Sequence, residues 1–278
     1  MTITGALRDA ALRIDRRDAE VLLGELLQCN RAFLIAHGQD ELDPAIGLRF
    51  ESWIARRERG EPVAYITGTR EFYGRTFCVG PAVLIPRPET EHLIEQALAR
   101  LSSPYWPESA ASASVLDMGT GSGAIAVTLA LERPRCAVTA CDISVGALKV
   151  AANNAVQLGA EIEFVKSDWY VELAGRTFDL IVSNPPYVAA HDVHLSQGDL
   201  RFEPPGALTD QSADGLASIR KIVGGARTHL VRGGWLLFEH GYDQASAAQG
   251  ILLKAGFADL ICEKDLAGIP RVSGGRLG

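Results

Sequence analysis

The chain has 278 residues, 47% of them apolar, which is enough to form one large domain or a large and a small one. It carries 27 Lys and Arg against 34 Asp and Glu, and the net charge of -7 disfavours a nucleic-acid partner, since such binding depends on neutralising phosphates. With no N-terminal signal pattern and no apolar run of membrane-spanning length, we expect a cytoplasmic protein without a membrane partner.

Helical periodicity predicts a small bundle at the N-terminus. Apolar residues recur at helical spacing from Arg16 to Leu34 and again from Pro44 to Arg59. Arg56, Arg57 and Arg59 give the second helix a basic end. A solvated helix C-terminus explains these arginines, and a face for an acidic partner is the alternative.

The pattern changes after Gly60-Glu61-Pro62. Short β-prone pieces separated by glycine, from Phe72 to Val79, predict a hairpin that joins two domains. We therefore divide the chain into a helical domain over residues 1–70, a β-hairpin linker over 71–82 and a second domain over 83–278.

The second domain alternates predicted strands and helices. A helix is expected from Thr90 to Leu101, followed by a linker rich in Ser, Ala and Pro over residues 102–114. The strands are predicted at 114–118, 137–142, 162–165, 180–183 and 234–239, with a final pair, and the helices at 124–132, 145–158, 219–230 and 244–255. This alternation is typical of a doubly wound, Rossmann-like α/β domain with a mostly parallel sheet, whose sites lie at the carboxyl ends of the strands.

A glycine-rich loop closes the first strand of this domain. Gly119, Gly121 and Gly123 alternate with Thr120 and Ser122 in the spacing G-x-G-x-G. This loop is one residue tighter than the dinucleotide fingerprint, which favours a nucleoside over a pyrophosphate at the N-terminus of the next helix. Tight packing of the strand against the helix is the alternative explanation.

Asp142 ends the second strand, where a carboxylate can accept hydrogen bonds from both hydroxyls of an unmodified ribose. The alternative is that Asp142 caps the helix that begins near Val145. Ser144 lies closer to that helix and can serve as its cap instead. The glycine loop and Asp142 together therefore favour an adenosine-type cofactor.

Asp168 and Trp169 follow the third strand and suit the base end of the same ligand. A carboxylate can accept from the adenine amino group while an indole face covers the ring. Core packing explains Trp169 equally well, and the sequence does not decide between the two.

The fourth strand ends in Asn184-Pro185-Pro186-Tyr187. Two prolines remove two backbone donors and leave a rigid extended turn with bare carbonyls. Asn184 Oδ1 and the Pro185 carbonyl can accept both hydrogens of a planar NH2 group, while Tyr187 packs on its face. This arrangement favours catalysis by positioning, with methyl transfer from a sulfonium as the natural reaction, whereas a simple strand-ending turn is the alternative.

With both motifs in place, the chain resembles a class I S-adenosylmethionine-dependent methyltransferase. More narrowly, it is similar over nearly its whole length to the release factor glutamine methyltransferases, the PrmC/HemK family. The segments that carry this resemblance are Arg59–Gly68, Glu71–Gly74, Leu84–Glu91, Asp117–Gly123, Asn184–Val188, Arg201–Pro204 and Arg271-Val272.

The resemblance implies an activity and the roles of the site residues. The family methylates the side-chain nitrogen of the glutamine in the Gly-Gly-Gln loop of class 1 peptide chain release factors, converting S-adenosylmethionine to S-adenosylhomocysteine without a metal. It implies that the loop from Gly119 to Gly123 lines the methionine and ribose end, that Asp142 binds the ribose and Trp169 the adenine. Asn184 to Tyr187 then hold the substrate amide, and we expect Asn184 to contact the cofactor as well. The helical domain, which has no nucleotide loop, is expected to recognise the release factor.

Other functions are weaker. An adenine N6-methyltransferase of DNA or RNA shares Asn-Pro-Pro-Tyr but is disfavoured by the acidic charge. The glycine spacing opposes a nicotinamide dehydrogenase, and the intact loop with Asp142 opposes a helical adaptor with a degenerate nucleoside-binding domain. His191, Asp192 and His194 lie in a polar loop without a third well-spaced ligand, and the cysteines contain no Cys-x-x-Cys, so we expect no metal site.

Overall fold

The computed structural model describes residues 1–102 and 112–278 and divides into two compact units. The first unit comprises Met1–Thr69 with Gln197–Phe202, and the second comprises Arg70–Ser196 with Glu203–Gly278. Most of the linker predicted over residues 102–114 lies outside the described residues. Among the helices of the described residues, none is both long and apolar enough to cross a membrane.

Short capped helices form the first unit. They are α1 (Ile3–Ala10), α2 (Arg16–Leu27), α3 (Arg31–Ala36), α4 (Pro44–Glu58) and α5 (Val63–Thr67). The side chains of Thr2, Asp15, Asn30 and Asp43 accept from backbone N–H groups at the starts of the first four. Their buried faces meet in one core that includes Leu22, Leu23, Phe50 and Ile54.

The stretch of helical periodicity from Arg16 to Leu34 forms two helices, because the chain breaks between α2 and α3. Gln28 takes a left-handed conformation with φ of 51°, and Asn30 caps the next helix. Leu23 and Leu34 nevertheless reach the same core, so the apolar periodicity runs across the break and hides it.

The arginines at the end of α4 are paired within the first unit. Arg56 donates to Glu61 over 2.8 Å, and Arg57 donates to Asp18 and to Asp199, over 2.7 Å in both cases. Arg56 and Arg57 thus lie at a partly exposed helix end and are held there by ion pairs.

The second unit contains a hairpin and a seven-stranded sheet. The strands are β1 (Thr69–Phe72), β2 (Arg75–Cys78), β3 (Ser114–Met118), β4 (Ala137–Asp142), β5 (Glu163–Lys166), β6 (Phe178–Ser183), β7 (Leu230–Glu239), β8 (Phe257–Lys264) and β9 (Pro270–Leu277). The large sheet has the order β5-β4-β3-β6-β7-β9-β8, in which only the pairings of β9 are antiparallel.

Helices cover both faces of this sheet. They are α6 (Glu91–Arg100), α7 (Ala124–Glu132), α8 (Val145–Leu158), α9 (Pro205–Leu208), α10 (Ala217–His229) and α11 (Ala245–Lys254), with single 3-10 turns at Pro88–Thr90, Val171–Leu173, Val193–Ser196 and Gly198–Phe202. Strand side chains alternate between two cores: Leu180 and Val182 of β6 pack in one and Ile181 in the other. The predicted fold class is confirmed.

Asn154 connects three segments of the second unit. This fully buried side chain of α8 accepts from Cys78 N over 2.7 Å and donates to Cys78 O and to Ser122 O, over 3.0 and 2.8 Å. It thereby fixes the hairpin and the glycine loop to the same helix.

We expect Asn154→Ala to destabilise the protein by about 3 kcal/mol, because it leaves buried backbone groups without partners. Urea unfolding measures this loss. Asn153→Ala, at the exposed neighbouring position, is the control and should change stability little. Equal stability of the two variants would contradict the bridging role of Asn154.

Candidate active site

The site lies where the strand order of the sheet reverses. β3 pairs with β4 on one side and with β6 on the other, so the loops after β3 and β6 diverge from a shared crevice at the carboxyl edge. A cavity of about 400 Å³ opens at this crevice. Most residues predicted for the site line it, namely Gly119, Thr120, Gly121, Ser122, Asp142, Asp168, Trp169, Asn184 and Pro186.

Gly123, Pro185 and Tyr187 are not among the residues that line this cavity. Gly123 precedes α7 with φ of 81°, and a Cβ there would lie 3.0 Å from the Ala151 Cβ, so this glycine serves close packing. Pro185 is buried, and the Tyr187 hydroxyl donates to Glu239.

Gly119 and Gly121 expose the backbone of the loop to open space. Their φ values are 72° and 55°, and a Cβ at either would meet nothing within 4 Å. The N–H groups of Gly119 and Thr120 both donate to Cys141 O over 2.9 Å, which holds the loop against β4. The loop therefore presents a rigid, bare backbone that a ligand can approach closely.

Asp117, the last acidic residue before this loop, is a site feature that the predicted residues omitted. Its side chain is fully buried, and Oδ2 accepts from Thr120 Oγ1 over 2.6 Å and from Ala126 N over 3.1 Å. Oδ1 has no hydrogen-bond partner, and burial raises the pKa of this carboxyl to about 7. Asp117 is not among the residues that line the cavity, and its hydrogen bond from Thr120 anchors the glycine loop.

Asp142 lines the cavity from the end of β4. Its Oδ2 accepts from Gly121 N over 3.0 Å and its Oδ1 from Ser144 N over 2.8 Å, while burial raises the pKa of the carboxyl. Ser144 Oγ, and not Asp142, caps α8 by accepting from Ala147 N. Each carboxylate oxygen keeps a lone pair for a ligand hydroxyl.

The turn after β5 places Asp168 and Trp169 at the cavity. Trp169 has a positive φ of 53°, and its carbonyl accepts from Ser167 Oγ over 2.8 Å. The indole both lines the cavity and packs against the core, so the two explanations offered by the sequence are compatible. Asp168 is exposed.

A hydrogen-bonded chain runs from Asn184 into the protein. Asn184 Nδ2 donates to Thr90 Oγ1 over 3.0 Å, and Thr90 Oγ1 donates to Glu239 Oε2 over 2.6 Å. The other oxygen of Glu239 accepts from the Tyr187 hydroxyl over 2.9 Å. Thr90 and Tyr187 thus share one buried carboxylate, and Asn184 is linked to it through Thr90, a connection that the spacing of these residues does not reveal.

Glu203 joins two segments that the sequence singled out without a chemical role. Its buried carboxylate accepts from Ile85 N over 3.0 Å and pairs with the Arg87 side chain. Pro86 and Pro204, the neighbours of these residues, both line the cavity. Glu203 thus links the segments that carry Pro86 and Pro204 to the cavity.

The loop from His191 to His194 contains a single close pair, in which His194 Nδ1 lies 2.6 Å from Asp192 Oδ1. In the parts of the chain that the structure covers, 1–102 and 112–278, no three His, Cys, Asp or Glu side chains come together as metal ligands. All five cysteines are free thiols.

The cavity offers acceptors to the hydroxyl and amino groups of a nucleoside. Its lining includes the carboxylates of Asp142, Asp168 and Asp210 and the ammonium of Lys221, and the open glycine backbone leaves room for a close ligand. The strand order and the loops after β3 and β6 define a class I S-adenosylmethionine-dependent methyltransferase.

Comparisons with known proteins identify the family. The model of the PrmC N-terminal domain matches residues 2–68, and that of the methyltransferase small domain matches residues 98–200. The release factor glutamine methyltransferase of Burkholderia pseudomallei is 51% identical, over 95% of this chain and 93% of that protein. Its counterpart in Bordetella pertussis is 49% identical, over 95% of this chain and 96% of that protein. The chain belongs to the release factor glutamine methyltransferases.

A solved structure supports the fold alone. The crystal structure of a methyltransferase from Pyrococcus furiosus matches with a TM-score of 0.55 at 17% identity, over 81% of this chain and 97% of that one.

We expect Asp117 to make stability fall as the pH rises from about 4 to 7. Its pKa is raised from 3.8 to about 7 in the folded protein, so across this window the unfolded chain has lost a proton that the folded chain retains. The loss approaches about 1 kcal/mol per pH unit. Urea unfolding of the wild type and of Asp117→Asn at several pH values isolates this contribution, and parallel pH profiles would contradict it.

Proposed function

We propose that this protein transfers a methyl group from S-adenosylmethionine to the side-chain amide nitrogen, N5, of the glutamine in the Gly-Gly-Gln loop of class 1 release factors. The main support is the sequence similarity to release factor glutamine methyltransferases, which are 49% and 51% identical over 95% of this chain. The Asn-Pro-Pro-Tyr segment at the edge of the cavity adds to it. The names of these relatives support a release factor, rather than DNA or RNA, as the substrate.

The cofactor is proposed to lie along the carboxyl ends of β3, β4 and β5. S-adenosylmethionine supplies the methyl group as an electrophilic sulfonium. In this proposal the glycine loop receives its methionine and ribose end, and the Asp142 carboxylate accepts from the ribose hydroxyls. Asp168 accepts from the adenine amino group, and the Trp169 indole covers the ring.

The target amide is proposed to bind at Asn184. An amide nitrogen is a poor nucleophile because its lone pair is delocalised into the carbonyl. Asn184 Oδ1 and the Pro185 carbonyl orient this nitrogen by accepting its two hydrogens, and their dipoles stabilise the positive charge that develops on it. Tyr187 packs against the amide face. Transfer would break the bond between sulfur and the methyl carbon, leaving S-adenosylhomocysteine, and the nitrogen would release one of these hydrogens as a proton to solvent.

The direct test is incubation of the enzyme and purified release factor with labelled S-adenosylmethionine, followed by peptide mapping. We expect a single labelled peptide that contains the Gly-Gly-Gln glutamine. Label on another residue, or on DNA or RNA under the same conditions, would refute the proposed substrate.

Two variants should separate binding from transfer. Asn184→Ala removes an aimed acceptor, so single-turnover transfer should fall on the order of a hundredfold while cofactor affinity changes little. Asp142→Ala should instead weaken binding of S-adenosylmethionine and S-adenosylhomocysteine, as measured by calorimetry. Near-wild-type transfer by folded Asn184→Ala would mean that the Asn-Pro-Pro-Tyr segment is only a turn.

The helical domain, residues 1–70, is proposed to recognise the release factor. All residues that line the cavity lie between Ala82 and Lys221, so this domain is available for another task. Removing it should spare cofactor binding but reduce methylation of the intact release factor at least tenfold, since a protein substrate needs contacts beyond one loop. A folded truncated enzyme that works at the full-length rate would contradict this role.

A further inference from the structure

The side-chain amide of Asn184 has an acceptor end and a donor end of nearly equal shape. Only Oδ1 can accept a hydrogen bond from a target amide, whereas Nδ2 would meet it donor against donor. Asn184 and Thr90 both line the cavity, and Nδ2 donates to Thr90 Oγ1 over 3.0 Å. The orientation of the amide therefore depends on how the Thr90 hydroxyl uses its single proton.

The Thr90 hydroxyl uses this proton in a hydrogen bond to Glu239. Its Oε2 accepts from Thr90 Oγ1 over 2.6 Å, and its Oε1 accepts from the Tyr187 hydroxyl over 2.9 Å. Glu239 is 1% exposed, and burial raises the pKa of its carboxyl even though these two donors and the charge of Arg271 act in the opposite direction. Because Glu239 accepts through both of its oxygens, the Thr90 hydroxyl uses its one proton in the hydrogen bond to Glu239 and can only accept a further hydrogen bond. Thr90 can then bind only the Nδ2 end of Asn184.

We propose that Glu239 and Thr90 are positioning residues that set the orientation of the Asn184 amide, keeping Oδ1 available for the target nitrogen. Glu239 holds the Tyr187 hydroxyl at the same time. This inference rests on the proposed function, in which Asn184 binds the target amide. Thr90 and Glu239 are 149 residues apart, so only the fold brings them together.

A threonine series tests the hydroxyl. Thr90→Val keeps the shape but leaves Nδ2 without its acceptor, so single-turnover transfer to the release factor should fall at least tenfold while cofactor affinity stays within about twofold. Thr90→Ser keeps the hydroxyl and should retain most of the rate. The matched control is Thr128→Val, a fully buried threonine of α7 whose hydroxyl has no hydrogen-bond partner, and it should leave transfer unchanged.

The direction of the hydrogen bonds is tested by Glu239→Gln in two backgrounds. In Asn184→Asp, the Thr90 hydroxyl has one proton for two neighbouring carboxylates. It can donate to only one of them, so the hydrogen bond between residue 184 and Thr90 is weakened. Adding Glu239→Gln supplies a donor to Thr90, so that Thr90 can donate to the new carboxylate while Tyr187 keeps an acceptor. We expect Glu239→Gln to lower the transfer rate when residue 184 is Asn and to raise it about tenfold when that residue is Asp.

Several outcomes would overturn the inference. These are wild-type transfer by Thr90→Val, an equal loss in Thr90→Ser, and an effect of Glu239→Gln with the same sign in both backgrounds. If Glu239→Gln does not fold, the threonine series decides. Failure of the wild-type enzyme to methylate the release factor would instead refute the proposed function, and this is measured first.

Discussion

The parallel pairing of β3 with β4 on one side and β6 on the other is the constraint on which the site depends. Right-handed crossovers send the helices after these strands to opposite faces of the sheet, and this leaves a crevice between the loops. Gly119 and Asn184 follow β3 and β6 directly, so they meet there although the chain between them builds two further strands. A change in strand order would separate them without altering either loop.

Buried polar groups then fix the loops around this crevice. Asn154 holds the hairpin and the glycine loop, Glu203 holds the Ile85 segment, and Glu239 holds Thr90 and Tyr187. Each group must be hydrogen-bonded, because an unpaired polar group costs more in a buried setting than in water. The need to hydrogen-bond these buried groups therefore selects one arrangement of the loops, whereas local propensity alone allows several.

Sequence patterns succeeded where a local cause decides the structure and failed where it does not. The glycine spacing and the apolar strands predicted the loop after β3 because positive φ values and buried alternation are local requirements. Ser144 was likewise recognised as the better cap for α8. The break at Gln28 leaves no signal in the apolar pattern, because both flanking helices bury apolar residues in one core, which preserves the period across the break.

The sequence by itself determined the doubly wound fold class, the family and nine of the residues that line the cavity, since each leaves a contiguous motif or a regular period. Only the tertiary structure decided what surrounds those motifs. Asp117 is fully buried with an unpaired oxygen, and Glu239 shares its carboxylate between Thr90 and Tyr187. Such burial and long-range hydrogen bonding arise from the packing of segments far apart in the chain, and no local pattern encodes them.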